Sequence, residues 1–161
     1  MYGLMYTARF SSSESAAQDL FAIGPVVSPN IVIIHSIRIG QVTFAGDASA
    51  EMAEIQLARA PAIGSVGSVI VASAIERNSS PGGPNPTTVV RTSDTTPAAS
   101  PLIILSDTFN LQAGWLYLPT PEERIVMTSQ AAKDVFVVTL PNAISGSSAF
   151  AGSITFEEIL G

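Results

Sequence analysis

Residues 31–44 read IVIIHSIRIGQVTF, and the fold turns on this run. Side chains branched at Cβ lose rotamer freedom on a helix but pack well on a pleated surface, so a stretch built mainly of Ile, Val and Thr is a strand. Ile31, Ile33, Ile37 and Ile39 share a parity, which alternation assigns to one buried face, and Gly40 predicts a bend or bulge part-way along. A strand this long crosses a whole sandwich.

Working outward, both ends of the chain alternate in the same way. Tyr2, Leu4, Tyr6, Ala8 and Phe10 fall on one face, with Met5, Thr7 and Arg9 on the other. Phe150, Ile154, Phe156 and Leu160 lie opposite Ser153, Thr155 and Glu157. Ala53, Ile55 and Leu57 alternate with Glu54 and Gln56, residues 102–111 and 135–140 are further β-rich runs, and residues 18–23, 87–92, 115–118 and 124–128 are shorter candidates. Helical periodicity is scarce, and without crossover helices a parallel α/β fold is excluded. Roughly eight to ten short strands must close onto a second sheet to bury a face, which predicts an all-β antiparallel sandwich or jelly roll.

The chain of 161 residues fits one domain spanning its full length. Residues 62–100 interrupt the strand pattern as an insertion rich in Gly, Ser, Pro and Thr, and residues 79–86 (SSPGGPNP) are loop. Within it, residues 69–77 read as a short helix or an edge strand. So long an excursion is either an arm that orders on a neighbour, with Pro81 and Pro84 as candidate contacts, or a plain surface loop.

Composition narrows the function classes. There is no cysteine, which removes disulfides, thiolate metal sites and thiol nucleophiles. Only 12% of residues are charged against an ordinary share of about a quarter, and mean hydropathy is +0.39. The apolar runs are far shorter than the ~20 residues of a membrane span, so no membrane role is expected. Residues 1–10 alternate and do not resemble a signal peptide, so synthesis in the cytoplasm without export is expected. Seven basic against thirteen acidic residues give a net charge of −6, the wrong sign for nucleic acid. Too few charges remain to coat a free monomer, which predicts a homo-oligomer or another protein covering the apolar surface.

No catalytic, cofactor-binding or metal-binding set emerges, and no enzyme is expected. His35 is the only histidine and sits on the apolar parity of the central strand, as a core or interface residue. The acids Glu122 with Glu123 and Glu157 with Glu158 are adjacent pairs, which point to opposite faces of a strand. Residues 46–54 (GDASAEMAE), with Asp47, Glu51 and Glu54, depart from calcium-loop spacing and read as a solvated turn. Gly64, Gly67, Gly82 and Gly83 make no phosphate-binding motif, and Ser11 to Ser13 lack a hydrolase elbow.

Residues 109–124, FNLQAGWLYLPTPEER, are more distinctive, holding the only Trp, a Tyr and two prolines after a strand. Trp115 and Tyr117 share a parity, and Pro119 and Pro121 hold the backbone extended. Two readings stand: a core corner anchored by Trp115, or an intersubunit contact made by Trp115, Tyr117, Leu118, Pro119 and Arg124.

This run, residues 37–60 (IRIGQVTFAGDASAEMAEIQLARA) and residues 151–159 (AGSITFEEI) resemble a group of small β-rich structural proteins of tailed bacteriophages. In that group a long strand, a Gly-Asp turn and an acid-containing strand precede a Gly- and Pro-rich insertion, a Leu-Pro-Thr-Pro-Glu-like motif and a terminal hairpin. The order matches over most of the chain, and residues 62–100 depart most. The resemblance implies a jelly-roll capsid decoration, or cement, protein on the outer surface of the virion head. It would be made in the host cytoplasm, form a trimer and bind the phage major capsid protein near local three-fold axes. A tail, neck or spike adaptor, and a carbohydrate-binding sandwich using Trp115 as a stacking platform, are the alternatives.

Overall fold

The alternation at the two ends of the chain resolves into a single antiparallel ladder, running from Leu4 opposite Glu158 to Glu14 opposite Ser148. The computed structural model describes residues 3–14, 16–42, 51–64, 70–71, 75–76, 86–129, 133–144 and 148–161. Among these the strands are β1 (Leu4–Glu14), β2 (Gln18–Ile23), β3 (Ile31–Gln41), β4 (Met52–Ala60), β5 (Ile70–Val71), β6 (Ile75–Glu76), β7 (Val90–Asp94), β8 (Leu102–Asn110), β9 (Trp115–Tyr117), β10 (Val126–Thr128), β11 (Val135–Leu140) and β12 (Ser148–Ile159), with a single 3-10 turn at Pro121–Glu123.

They form two antiparallel sheets. The first runs β10-β3-β12-β1-β6, with β9 also on β3, and the second runs β5-β7-β2-β11-β4-β8. The first four strands alternate between the sheets, and later β12 enters between β1 and β3 while β11 enters between β2 and β4. This nesting is the jelly-roll order, and the all-β sandwich expected from alternation is the observed fold.

Inward side chains of both sheets fill one core. Tyr6, Ala8 and Phe10 of β1 and Phe150, Ile154 and Phe156 of β12 meet Phe21, Ile23, Ile55, Leu57, Phe136 and Val138 of the second sheet. Phe10 and Phe21 cross the gap edge to face, with ring centres 5.0 Å apart, and Tyr6 stacks on Phe156 at 5.5 Å. Central strands β2 and β11 are buried along their whole length, because a second apolar cluster covers the outer face of the second sheet. There Ala22, Ala58, Ala60, Val135 and Val137 lie under Ile63 and Ala98, which belong to the insertion.

One parity differs from expectation. The buried residues of β3 are Val32, Ile34, Ile37 and Ile39, while Ile31, Ile33 and His35 are only half-buried. Thr155 pairs with Ser36 and Phe156 with Ile34, so His35 is an extra residue at a bulge. A bulge exchanges the two faces of a strand, which is why one parity cannot hold through it. The irregularity falls at His35, earlier than the Gly40 position expected.

The insertion is partly woven into the sandwich. Residues 69–77, read as a helix or an edge strand, contain the edge strands β5 and β6, which pair with β7 and β1 respectively. Strand β7 extends the second sheet beyond β2. Pro81, Pro84 and Asp47 lie outside the described residues.

Candidate functional site

The segment singled out by its aromatic and proline content is the corner that carries the chain from the second sheet to the first. The corner closes at Asn110, whose carbonyl accepts hydrogen bonds from Ala113 N at 3.0 Å and Gly114 N at 3.2 Å. Its side chain accepts a further bond from Gln112 N at 2.9 Å. Gly114 has φ 73°, where an L side chain is strained, and an added Cβ would lie 2.9 Å from the Ile39 carbonyl.

Beyond the turn, Trp115 pairs with Ile39 and is 8% exposed, packed in the intersheet core. Its ring stacks on Tyr117 with centres 6.2 Å apart, and Nε1 donates to Asp107 Oδ2 of β8 at 3.0 Å. That bond ties β9 of the first sheet to β8 of the second. It also holds the Asp107 carboxyl below its usual range, with the Thr108 N–H adding to the effect. Tyr117 OH donates to the Glu123 carbonyl at 3.2 Å, and burial, with Glu123 nearby, pushes its hydroxyl pKa up. In the 3-10 turn, Thr120 Oγ1 donates to Glu123 Oε2 at 3.2 Å.

The candidate contact residues therefore separate by environment. Trp115 serves the corner, 8% exposed with one ring face on Tyr117. Tyr117, Pro119 and Arg124 are half-buried, while Leu118 is 69% exposed and Leu116 also points to solvent. Arg124 Nε is buried with no hydrogen-bond partner among the described residues. Beside the corner lies an open hollow of about 410 Å³, lined by Arg38, Gly40, Gln41, Gln112, Trp115 and Leu116.

A more conspicuous surface adjoins the corner. Leu102, Ile103, Ile104 and Leu105 of β8 are 38–56% exposed, a run of four apolar side chains at the outer edge of the second sheet. Polar contacts brace the neighbouring part of the strand. Glu54 of β4 accepts from Ser106 Oγ at 2.7 Å, Gln56 Nε2 at 2.8 Å and Asn142 Nδ2 at 2.9 Å, and these bonds, Ser106 first, lower its pKa. Sequence reading located this strand but not its exposure. An apolar run without alternation is the pattern of a strand buried on both faces.

The acids fall into structural roles. Glu157 Oε2 meets His35 Nε2 at 3.0 Å on the outer face of the first sheet. Its neighbour Glu158 points inward, is fully buried, and accepts from the backbone and hydroxyl groups of Thr87 and Thr88. Asp19 and Asp94 are cross-strand neighbours buried on the outer side of the second sheet, where Asp19 Oδ2 accepts from Ala98 N at 2.8 Å and Asp94 Oδ1 from Arg91 Nη2 at 3.0 Å. Among the described residues no group of three or more His, Cys, Asp or Glu is placed to hold a metal ion.

Compared with models of known protein families, with curated proteins and with solved structures, the chain has no match.

Proposed function

We propose that the chain is a structural assembly protein, a decoration or cement protein that binds the major capsid protein on the outside of a tailed-phage head and stabilises contacts between capsomers. The observation that carries the assembly role is the exposed run Leu102–Leu105 on a chain with only 12% charged residues. Contiguous apolar patches on a protein surface mark contact with other proteins more often than they mark free monomers. The phage-head role is supported by the resemblance of residues 37–60, 109–124 and 151–159, and the jelly roll is a fold that capsid proteins share with other functions.

A cement protein works by adding matched surface to several chains and performs no chemistry. A braced sandwich suits that task, with Trp115 linking the two sheets through Asp107 and Glu158 pinning residues 87–88 to β12. The test mixes the purified chain with expanded heads that lack it. Binding in a regular array that raises the temperature at which the shells break supports the proposal. No binding to shells at any maturation stage overturns it, as does labelled-particle density confined to one vertex, which would place the chain in the neck, tail or spike.

A further inference from the structure

Most sheet edges among the described residues are short: β5 and β6 have two residues each, and β9 and β10 have three. The edge strand β8 has nine residues, and β4 is its one described neighbour. On an antiparallel edge strand, alternate residues direct N–H and C=O groups away from the sheet, with no ladder to receive them. Edges are ordinarily blunted by Lys, Pro or brevity. Strand β8, LIILSDTFN, contains no Lys and no Pro. The register shift between Leu57 and Ala58, opposite Ile104, adds twist but no charge.

We propose that β8 pairs antiparallel with β8 of a second copy of this chain, joining two second sheets into one continuous sheet across a two-fold axis near Ile104. Length favours this occupant first, because β8 is a nine-residue edge with no described partner anywhere along its outer side, whereas the longer β1 is covered in its middle by β6 at Tyr6 and Thr7.

Charge selects it next. An axis at Ile104 sets Ile103 opposite Leu105 of the second copy and Leu102 opposite Ser106. Asp107 then falls opposite Pro101, so no acid meets an acid in a chain of net charge −6. An axis at Asp107 would instead oppose two carboxylates.

The edge is also held ready. Asp107 is fixed by Trp115 and Ser106 by Glu54, so little order has to be gained on pairing. Since the pairing consumes the long edge of both copies, it stops at two and does not propagate into a fibre. The pairing uses the backbone edge of the same run whose exposure supports the assembly role, so the two readings share Leu102–Leu105 and are separated by the test below, and a three-fold ring would need a different surface.

The test is the mass of the intact chain in solution, by light scattering and sedimentation over a range of concentrations. A dimer is expected. Ile104→Lys puts a charge on each side of the axis and should weaken dimerisation at least tenfold, with the melting temperature at dilutions where both proteins are monomeric unchanged, because the side chain it replaces is 45% exposed in the single chain. Leu102→Lys gives the same readout should the first variant fail to fold. In this cysteine-free chain, Ile104→Cys treated with oxidised glutathione should yield a disulfide-linked dimer, whereas Thr108→Cys, four residues from the axis, should not. A monomer at every concentration overturns the proposal. So does an oligomer whose mass both lysine variants leave unchanged, or preferential cross-linking through Thr108→Cys. A monomer that loses capsid binding on Ile104→Lys also overturns it and assigns the edge to a strand of the capsid protein.

Discussion

Glu158 is buried against residues 87–88, and four bonds of 2.6–3.0 Å from the amides and hydroxyls of Thr87 and Thr88 satisfy its carboxylate. Burial alone would raise its pKa, but these bonds together outweigh burial and hold it below the ordinary 4.5. Its folded pKa is depressed, so its contribution to stability is present above that ordinary value and is lost as pH falls through the folded one. Glu158→Gln should cost roughly 2–4 kcal/mol at pH 7, because an amide turns its NH₂ toward donors. Denaturant titration at neutral pH and at pH ~3.5 would check this, with the difference between variant and parent shrinking in acid. Asp19 has the opposite linkage. Burial, with the charge of Asp94 adding to it, raises its carboxyl from 3.8 to about 6 against the opposing Ala98 hydrogen bond. Burial raises Asp94 as well, despite Arg91. Asp19 Oδ1 and Asp94 Oδ2 have no hydrogen-bond partner among the described residues, so a proton on this pair is well placed and its loss is not compensated. The folded state then binds the proton more tightly than the unfolded chain, and stability falls as pH rises from about 4 to about 6, in total on the order of 3 kcal/mol. Asp19→Asn, neutral throughout, should remove that slope. Its melting temperature should match the parent near pH 4 and exceed it at pH 7.

Between Phe150 and Ile154 on the inward side of β12, Gly152 leaves a notch that the Phe10 ring occupies. An added Cβ would stand 2.5 Å from Phe10 Cε1 and 2.6 Å from the Arg38 carbonyl, and the carbonyl belongs to a central strand that cannot yield. Gly152→Ala should therefore cost roughly 1–3 kcal/mol by overpacking. Gly40→Ala is the matched control, since nothing lies within 4 Å of its Cβ position, and chemical denaturation of the two side by side is the check. Elements of this kind were the most legible part of the sequence. Strands β1 and β12 announce their inward faces because alternation runs unbroken through Tyr6, Ala8 and Phe10 and again through Ile154 and Phe156. Strand β3 was legible as a strand but not in its facing, because His35 inserts a residue that no propensity marks. The corner at Trp115 was visible from composition, but its hydrogen bond to Asp107 joins different sheets and has no local signature. Glu158 and Asp19 were invisible as buried acids for the same reason: their partners lie 70 or more residues away. Asp94 has a local partner in Arg91, but its place opposite Asp19 on the neighbouring strand has no local signature.

At the scale of the whole molecule, sparse charge and an apolar edge set how association responds to solvent. A contact made through Leu102–Leu105 contains no ion pair, so screening has nothing to weaken there. Dimerisation should hold or tighten between low salt and roughly 0.5 M NaCl or sulfate. Sedimentation across that range is the check, and a steep loss of mass with salt would instead place charged groups at the contact. The nesting of β12 between β1 and β3 bears on how the molecule is made. While the chain is still emerging from a ribosome, Tyr6 and Phe10 on one side and Ile37 and Ile39 on the other face an empty lane, and no local hairpin can fill it. Such distant pairing belongs to the slow end of folding, milliseconds to seconds. The first sheet thus cannot complete its ladder until residues 148–159 are available to fill the lane between β1 and β3, which makes its closure depend on the most distant pairing in the chain.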